Sequence, residues 1–160
     1  MSVEEGAGDQ AWSPPEGSWA SSKVSRMTML ANRGRDTGPE MAVRRAAHRR
    51  GLRYRVSAKP LPELRRTADL VFPRERVAIY VDGCWWHGCP DHSTKAKRNG
   101  DYWDRKLAAN KARDADTDQR LAQAGWISVR IWEHEDPQDA ARRIETAVKE
   151  RRAQGDHPQA

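Results

Sequence analysis

An α/β domain, a small mixed sheet flanked by helices, is the fold class this sequence predicts, and three observations predict it. Apolar residues recur at helical spacing in three blocks, and β-branched and aromatic residues gather in four short runs between them. The order is helix, three strands, helix, strand, helix, so the second helix is the natural crossover bringing the last strand beside the earlier ones. The length, 160 residues, suits about one domain. That domain is expected over residues 23–153, between an acidic disordered leader at 1–22 and a disordered tail at 154–160.

The leader is rich in Gly, Ser, Pro and acids, and Pro14-Pro15 excludes helix. Lys23 to Arg35 mixes Lys and Arg with Met27 and Met29, as a basic arm along a nucleic-acid backbone would, or a frayed first helix. A helix starts at Asp36-Thr37-Gly38-Pro39-Glu40: Thr37 is the N-cap, Glu40 completes a capping box, and Pro39 suits the first turn. It runs to about Gly51, a natural stop, with Met41, Ala42, Ala46 and Ala47 as its apolar residues. Leu52 to Val56 reads as a short strand. Thr67–Phe72 and Arg76–Val81, joined through Pro73-Arg74-Glu75-Arg76, read as a β-hairpin. Asp101 to Ala124 reads as a long helix with Tyr102, Trp103, Leu107, Ala108, Ala115, Leu121 and Ala124 on its apolar face. Gly125 ends it, Trp126–Trp132 is the fourth strand, and a last helix begins at Pro137. Trp126 and Trp132 are read as core residues.

Residues 1–22 carry Glu4, Glu5, Asp9 and Glu16 with no Lys or Arg, a local −4, so the formal +6 leaves +10 on the remainder. Arginine predominates there, and its guanidinium fork suits phosphate. Charge alone leaves nucleic-acid binding and a merely solvated basic surface equally open. The sequence contains neither a run of eighteen apolar residues nor a signal peptide, so a cytoplasmic protein is expected. In such a reducing compartment, two cysteines five positions apart suggest metal binding or reactivity more than a disulfide.

Both cysteines lie in Val81–His92, VDGCWWHGCPDH, a loop fed by the hairpin's second strand. Cys84, Cys89 and His92 have the spacing of zinc ligands, and His134, just past the fourth strand, supplies a fourth to close a tetrahedral structural site. The bland alternative is two free thiols and two surface imidazoles. His87 is held in the same loop without belonging to that set, which suits a general base. Asp69 interrupts an apolar strand, where an acid is costly to bury unless paired or bound to a cation, and Val81 and Asp82 on the next strand are near enough to share that cation. An exposed edge strand is the alternative for Asp69, and Glu40 as a capping acid needs no further role.

Six elements in fixed order then carry a resemblance: DT-x-x-E (Asp36 to Glu40), ADLVF, VDGCWWHGC, Y-W-x-x-K-x-x-x-N-x-x-R-D (Tyr102 to Asp114), GW and WEHE. Together they resemble the very-short-patch DNA mismatch repair endonucleases, from about Lys23 to Ala141. The resemblance implies a restriction-endonuclease-like fold with a structural zinc, and magnesium-dependent nicking of double-stranded DNA 5′ of the thymine in a T:G mismatch. It further implies Asp69 and the Val81 carbonyl as magnesium ligands, His87 as the base activating water, Asp114 as the acid orienting it, and Glu40 as an acid near the metal's water shell. Cys84, Cys89, His92 and His134 fall on or close to the family's zinc ligands. Trp85, Trp86 and Trp103 become candidates for insertion beside the mismatch, with Met27 or Met29 wedging from the other side. Better-known members have Thr-His where this chain has Val81-Asp82, so Asp82 puts a carboxylate in place of a second histidine and either recruits a second metal or holds water. A monomer acting at the bacterial nucleoid is expected. The rivals are a restriction-type nuclease with another DNA target and a non-catalytic zinc-stabilised DNA-binding module.

Overall fold

The computed structural model describes residues 37–84, 89–91 and 100–155. Helix α1 spans Gly38–Arg49. Thr37 caps it in an extended conformation, its hydroxyl accepting the Glu40 N–H at 3.4 Å, and Pro39 sits in the first turn, where a missing N–H costs nothing. At the other end the N–H groups of Gly51 and Leu52 donate to the carbonyls of His48 and Ala47, with Gly51 at φ 82. This Schellman stop uses Leu52 as its closing residue, and the Leu52 side chain is buried. Strand β1 therefore begins later than the sequence suggests, at Arg55–Ala58 rather than Leu52–Val56.

Strands β2 (Ala68–Phe72) and β3 (Val77–Asp82) form the expected antiparallel hairpin, paired from Phe72↔Val77 to Leu70↔Ile79. Arg76, at φ 56, turns the chain between them. Helix α2 (Gly100–Gln123) precedes β4 (Ile127–Trp132), which lies parallel to β3 in the register Val77↔Ile127 through Asp82↔Trp132. The sheet order is β1-β2-β3-β4, and α3 (Pro137–Gly155) closes the described chain. Its helical turns run to Gly155, two residues beyond the domain boundary expected at 153. The result is the small mixed sheet between helices that the sequence predicts.

Alternation along the strands divides the core into two layers. Leu70, Phe72, Val77, Ile79 and Ile131 face α1 and α3, which supply Val43, Ala47, Ala140, Ile144 and Val148. Val71, Ala78 and Tyr80 face α2 through Leu121. The α2 contact differs from the apolar stripe expected of it: Ala108 and Ala115 are exposed, and the buried positions are Trp103, Asn110, Thr117 and Leu121. The reason is local. Arg66 reaches across from the segment before β2 and donates to Thr117 Oγ1, Asp116 Oδ2 and the Arg113 carbonyl at 2.5, 2.9 and 3.0 Å, so a polar seam stands where an apolar one was expected. Likewise α1 buries Val43 with Ala46 and Ala47, while Met41 and Ala42 are half-buried. Among the described residues no helix is long and apolar enough to cross a membrane.

Candidate active site and metal centre

The open end of the hairpin gathers oxygen ligands because the ladder gives way there. Along β1, the register Val56↔Leu70 and Ala58↔Ala68 would set Ser57 opposite Asp69, and Ser57 is at φ 47, a left-handed conformation unusual in a strand. On its other side the β2–β3 pairing ends at Leu70↔Ile79. Beyond it the Val81 N–H donates to Asp69 Oδ2 at 2.6 Å, a side chain completing what the ladder leaves open. Asp69 and Val81 are thus brought together across the two strands, as the sequence suggests. Burial pushes the Asp69 carboxyl up to about 7, against the pull of the Val81 N–H, and the charges of Glu40 and Asp82 and a hydrogen bond with Glu40 push the same way as burial. Glu40 is itself buried, at 6% exposure, with Arg44 Nη2 3.3 Å from its Oε2. Its backbone serves the helix cap while its carboxylate looks into the site, so capping alone does not describe it. Acids from α1 and β3 thus bear on the Asp69 carboxyl of β2, and that carboxyl beside the Val81 backbone fits a divalent cation, which would offset the charge gathered there.

On the α2 side of the sheet Arg130, in the middle of β4, lies among three carboxylates, that of Asp82 and two from α2. Its Nη1 is 3.2 Å from both Asp82 oxygens and 3.5 Å from Asp114 Oδ1, and its Nε and Nη2 reach Asp118 at 2.9–3.1 Å. Nη2 also donates to the Asp114 carbonyl at 3.3 Å. The guanidinium carbon lies 4.4 Å from the centroid of the Tyr80 ring, a cation–π contact. Burial pushes the Tyr80 hydroxyl up to about 12, and its oxygen is buried with no hydrogen-bond partner among the described residues. Asp82 and Asp114 thus meet through Arg130. Sequence reasoning missed this arginine, although a charge inside an apolar strand was the same signal that marked Asp69.

The loop after β3 is tied to the end of β4. Cys84 Sγ and Cys89 Sγ lie 3.1 and 3.7 Å from His134 Nδ1, and the three ligand atoms fall within 4.8 Å of one another. The Cys84 N–H donates to Glu133 Oε1 at 3.0 Å, the Glu133 N–H to the Asp82 carbonyl at 2.9 Å, and the Cys89 N–H to the Cys84 carbonyl at 2.9 Å. Both cysteines are buried and unbridged. Burial, then the hydrogen bond and charge of Cys89, push the Cys84 thiol up to about 11. Two buried sulfurs and an imidazole in this compass fit a soft-ligand cation such as zinc. The Trp132 ring stacks on His134 at 6.5 Å and 11° and is half-buried, so it orients this imidazole rather than filling the sheet core. Trp126, also half-buried, packs against the α2-side core as expected.

His87, His92, Trp85, Trp86, Met27 and Met29 lie outside the described residues, as do the leader and the basic arm. Trp103 is buried at 8% exposure, edge-on to Tyr102 at 5.4 Å. It stands at the start of α2 with little of its ring exposed.

Residues 20–95 match the family model described as DNA mismatch endonuclease Vsr. The type II nicking enzyme V.NaeI of Lentzea aerocolonigenes is 43% identical over 122 residues, covering 70% of this chain and 69% of the relative. V.HpaIIP of Haemophilus parainfluenzae, also a type II nicking enzyme, is 31% identical over 76% of this chain and 87% of its own. The DNA mismatch endonuclease Vsr of Escherichia coli is 32% identical over 66% of each.

Proposed function

Since the chain belongs to the Vsr family of DNA endonucleases, we propose that it nicks one strand of double-stranded DNA 5′ of the thymine in a T:G mismatch, in a magnesium-dependent hydrolysis. The observation that carries this reading is the buried Asp69 carboxyl, pushed up to about 7 between Glu40 and Asp82 at the mouth of the hairpin. When bound there, a hard dication supplies the positive charge that a phosphodiester under attack requires. Asp69 and the Val81 carbonyl would hold it, with Glu40 steadying the water around it. His87 would take the proton of the attacking water, and Asp114 would orient that water. Cys84, Cys89, His134 and His92 would hold a zinc ion that fixes the His87 loop to the end of β4. Trp85 and Trp86, with Met27 or Met29 opposite, would open the mismatched step, base stacking on each ring contributing about 1–3 kcal/mol. The protein would act as a cytoplasmic monomer at the nucleoid.

The relatives' description as nicking enzymes supports cleavage of one strand, and the mismatch description of the matching family supports the T:G target. A strand-specific nicking assay on T:A and T:G duplexes, with and without Mg2+, tests both parts. Magnesium-dependent nicking of the thymine strand in the T:G duplex alone is expected. Equal cutting of both strands in the T:A duplex would replace this reading with a restriction-type nuclease.

A further inference from the structure

The three acids at the hairpin mouth differ in what faces them. Glu40 has Arg44 at 3.3 Å, and Asp82 has Arg130 Nη1 at 3.2 Å from both of its oxygens. Asp69 is met by the Val81 N–H and shares a hydrogen bond with Glu40, and among the described residues no guanidinium bonds to it. Two of the three charges are thus answered by arginines inside the fold, and the third is left for a cation.

Arg130 is built to hold more than Asp82. Residues 80 and 82 on β3 lie on the same face as residue 130 on β4, in the register Tyr80↔Arg130 and Asp82↔Trp132. Asp114 and Asp118, four apart on α2, present both carboxylates to that face. Five N–H donors in a rigid fork serve all three acids at once, which a lysine ammonium on a flexible stem does not. The Tyr80 ring at 4.4 Å supports the fork from below.

Resting on the proposed magnesium site, we propose that Arg130 is a positioning residue: it fixes Asp82 against Asp114 and withholds the Asp82 carboxylate from the metal, so that the hairpin mouth takes one divalent cation, on Asp69. A cation reaching for Asp82 would have to approach the guanidinium, a like charge in a partly buried setting. The carboxylate that stands here in place of a histidine is then a salt-bridge partner that holds α2, and Asp114 with it, to the end of β3.

The test is a titration of the purified chain with Mn2+, counting bound ions by electron paramagnetic resonance. Asp82→Asn is expected to keep the wild-type ion count and affinity, whereas Asp69→Asn loses affinity by at least the roughly 10–100-fold that follows even from changing a residue behind a metal ligand. Arg130→Gln, shown folded by circular dichroism, is expected to gain a second ion or tighter binding, and the gain disappears in Arg130→Gln/Asp82→Asn. Arg130→Lys keeps a single ion, and both Arg130 variants nick with lower kcat at unchanged KM for the duplex. An Asp82→Asn chain that loses its ion overturns the proposal, as does a folded Arg130→Gln chain with wild-type binding. If Arg130→Gln does not fold, Asp82→Asn decides alone. Undiminished binding by Asp69→Asn would instead remove the magnesium site on which the inference stands.

Discussion

Replacing Asp69 by asparagine should make this protein more stable and inactive. The shape is kept, and the amide oxygen still accepts the Val81 N–H that the carboxylate takes at 2.6 Å. What disappears is a charge that burial and two neighbouring acids oppose, raising the carboxyl from 3.8 to about 7. An acid raised in this way holds its proton longer in the folded chain than in the unfolded one. Stability is therefore lost as pH climbs from the unfolded value to the folded one, and the loss is complete above about pH 7. Every tenfold difference in proton affinity between the two states is about 1.4 kcal/mol, so the native carboxylate costs about 2 kcal/mol at pH 5 and at most about 4 kcal/mol at pH 8.5. Thermal melts without divalent cations should then place Asp69→Asn above the wild type by on the order of 10 °C at pH 8.5, with a smaller gap at pH 5. Added Mg2+ should raise the wild-type melting point but not that of the variant, and nicking should be lost at every pH. A gap that stays flat between pH 5 and pH 8.5, or a variant that melts lower at pH 8.5, would show that Asp69 is not a destabilised site acid.

Three other perturbations address the frame around this site. Phe72→Ala removes a fully buried ring that meets Tyr54 edge-on at 5.9 Å, and should cost about 3–5 kcal/mol in urea unfolding at unchanged slope. Cys89→Ser should abolish zinc uptake, measured by elemental analysis, and lower the melting point together with nicking, since a structural zinc site contributes on the order of 10 kcal/mol. Zinc retained in that variant would remove Cys89 from the ligand set. Arg66→Ala breaks the bonds to Thr117, Asp116 and the Arg113 carbonyl and leaves part of a buried polar seam unsatisfied, for about 1–3 kcal/mol of stability by chemical denaturation. No loss there would show that the seam is carried by other partners.

Much of the frame was legible from local signals. Thr37, Pro39 and Gly51 bound α1 because caps and stops act over a few residues, and the hairpin shows in two short β-branched runs either side of Pro73–Arg76. Asp69 was legible for a similar reason, since an acid within ADLVF conflicts with its own strand. Spacing also suggested Cys84 and Cys89, and the distance to His134 agrees.

The elements, their order and the residues whose chemistry clashes with their neighbourhood follow from the chain alone, because capping, strand alternation and turn formation are settled within a few residues. Which side chains meet is a matter of packing. Glu40 reads as a cap until α1 is laid beside β2, and Arg130 reads as one more basic residue until β3 and α2 set Asp82, Asp114 and Asp118 around it. The apolar stripe of α2 gave way to a polar seam for the same reason, since Arg66 arrives from 51 residues away in sequence to bind Thr117. Partners that far apart along the chain leave no local trace, and the electrostatics of the site depend on them.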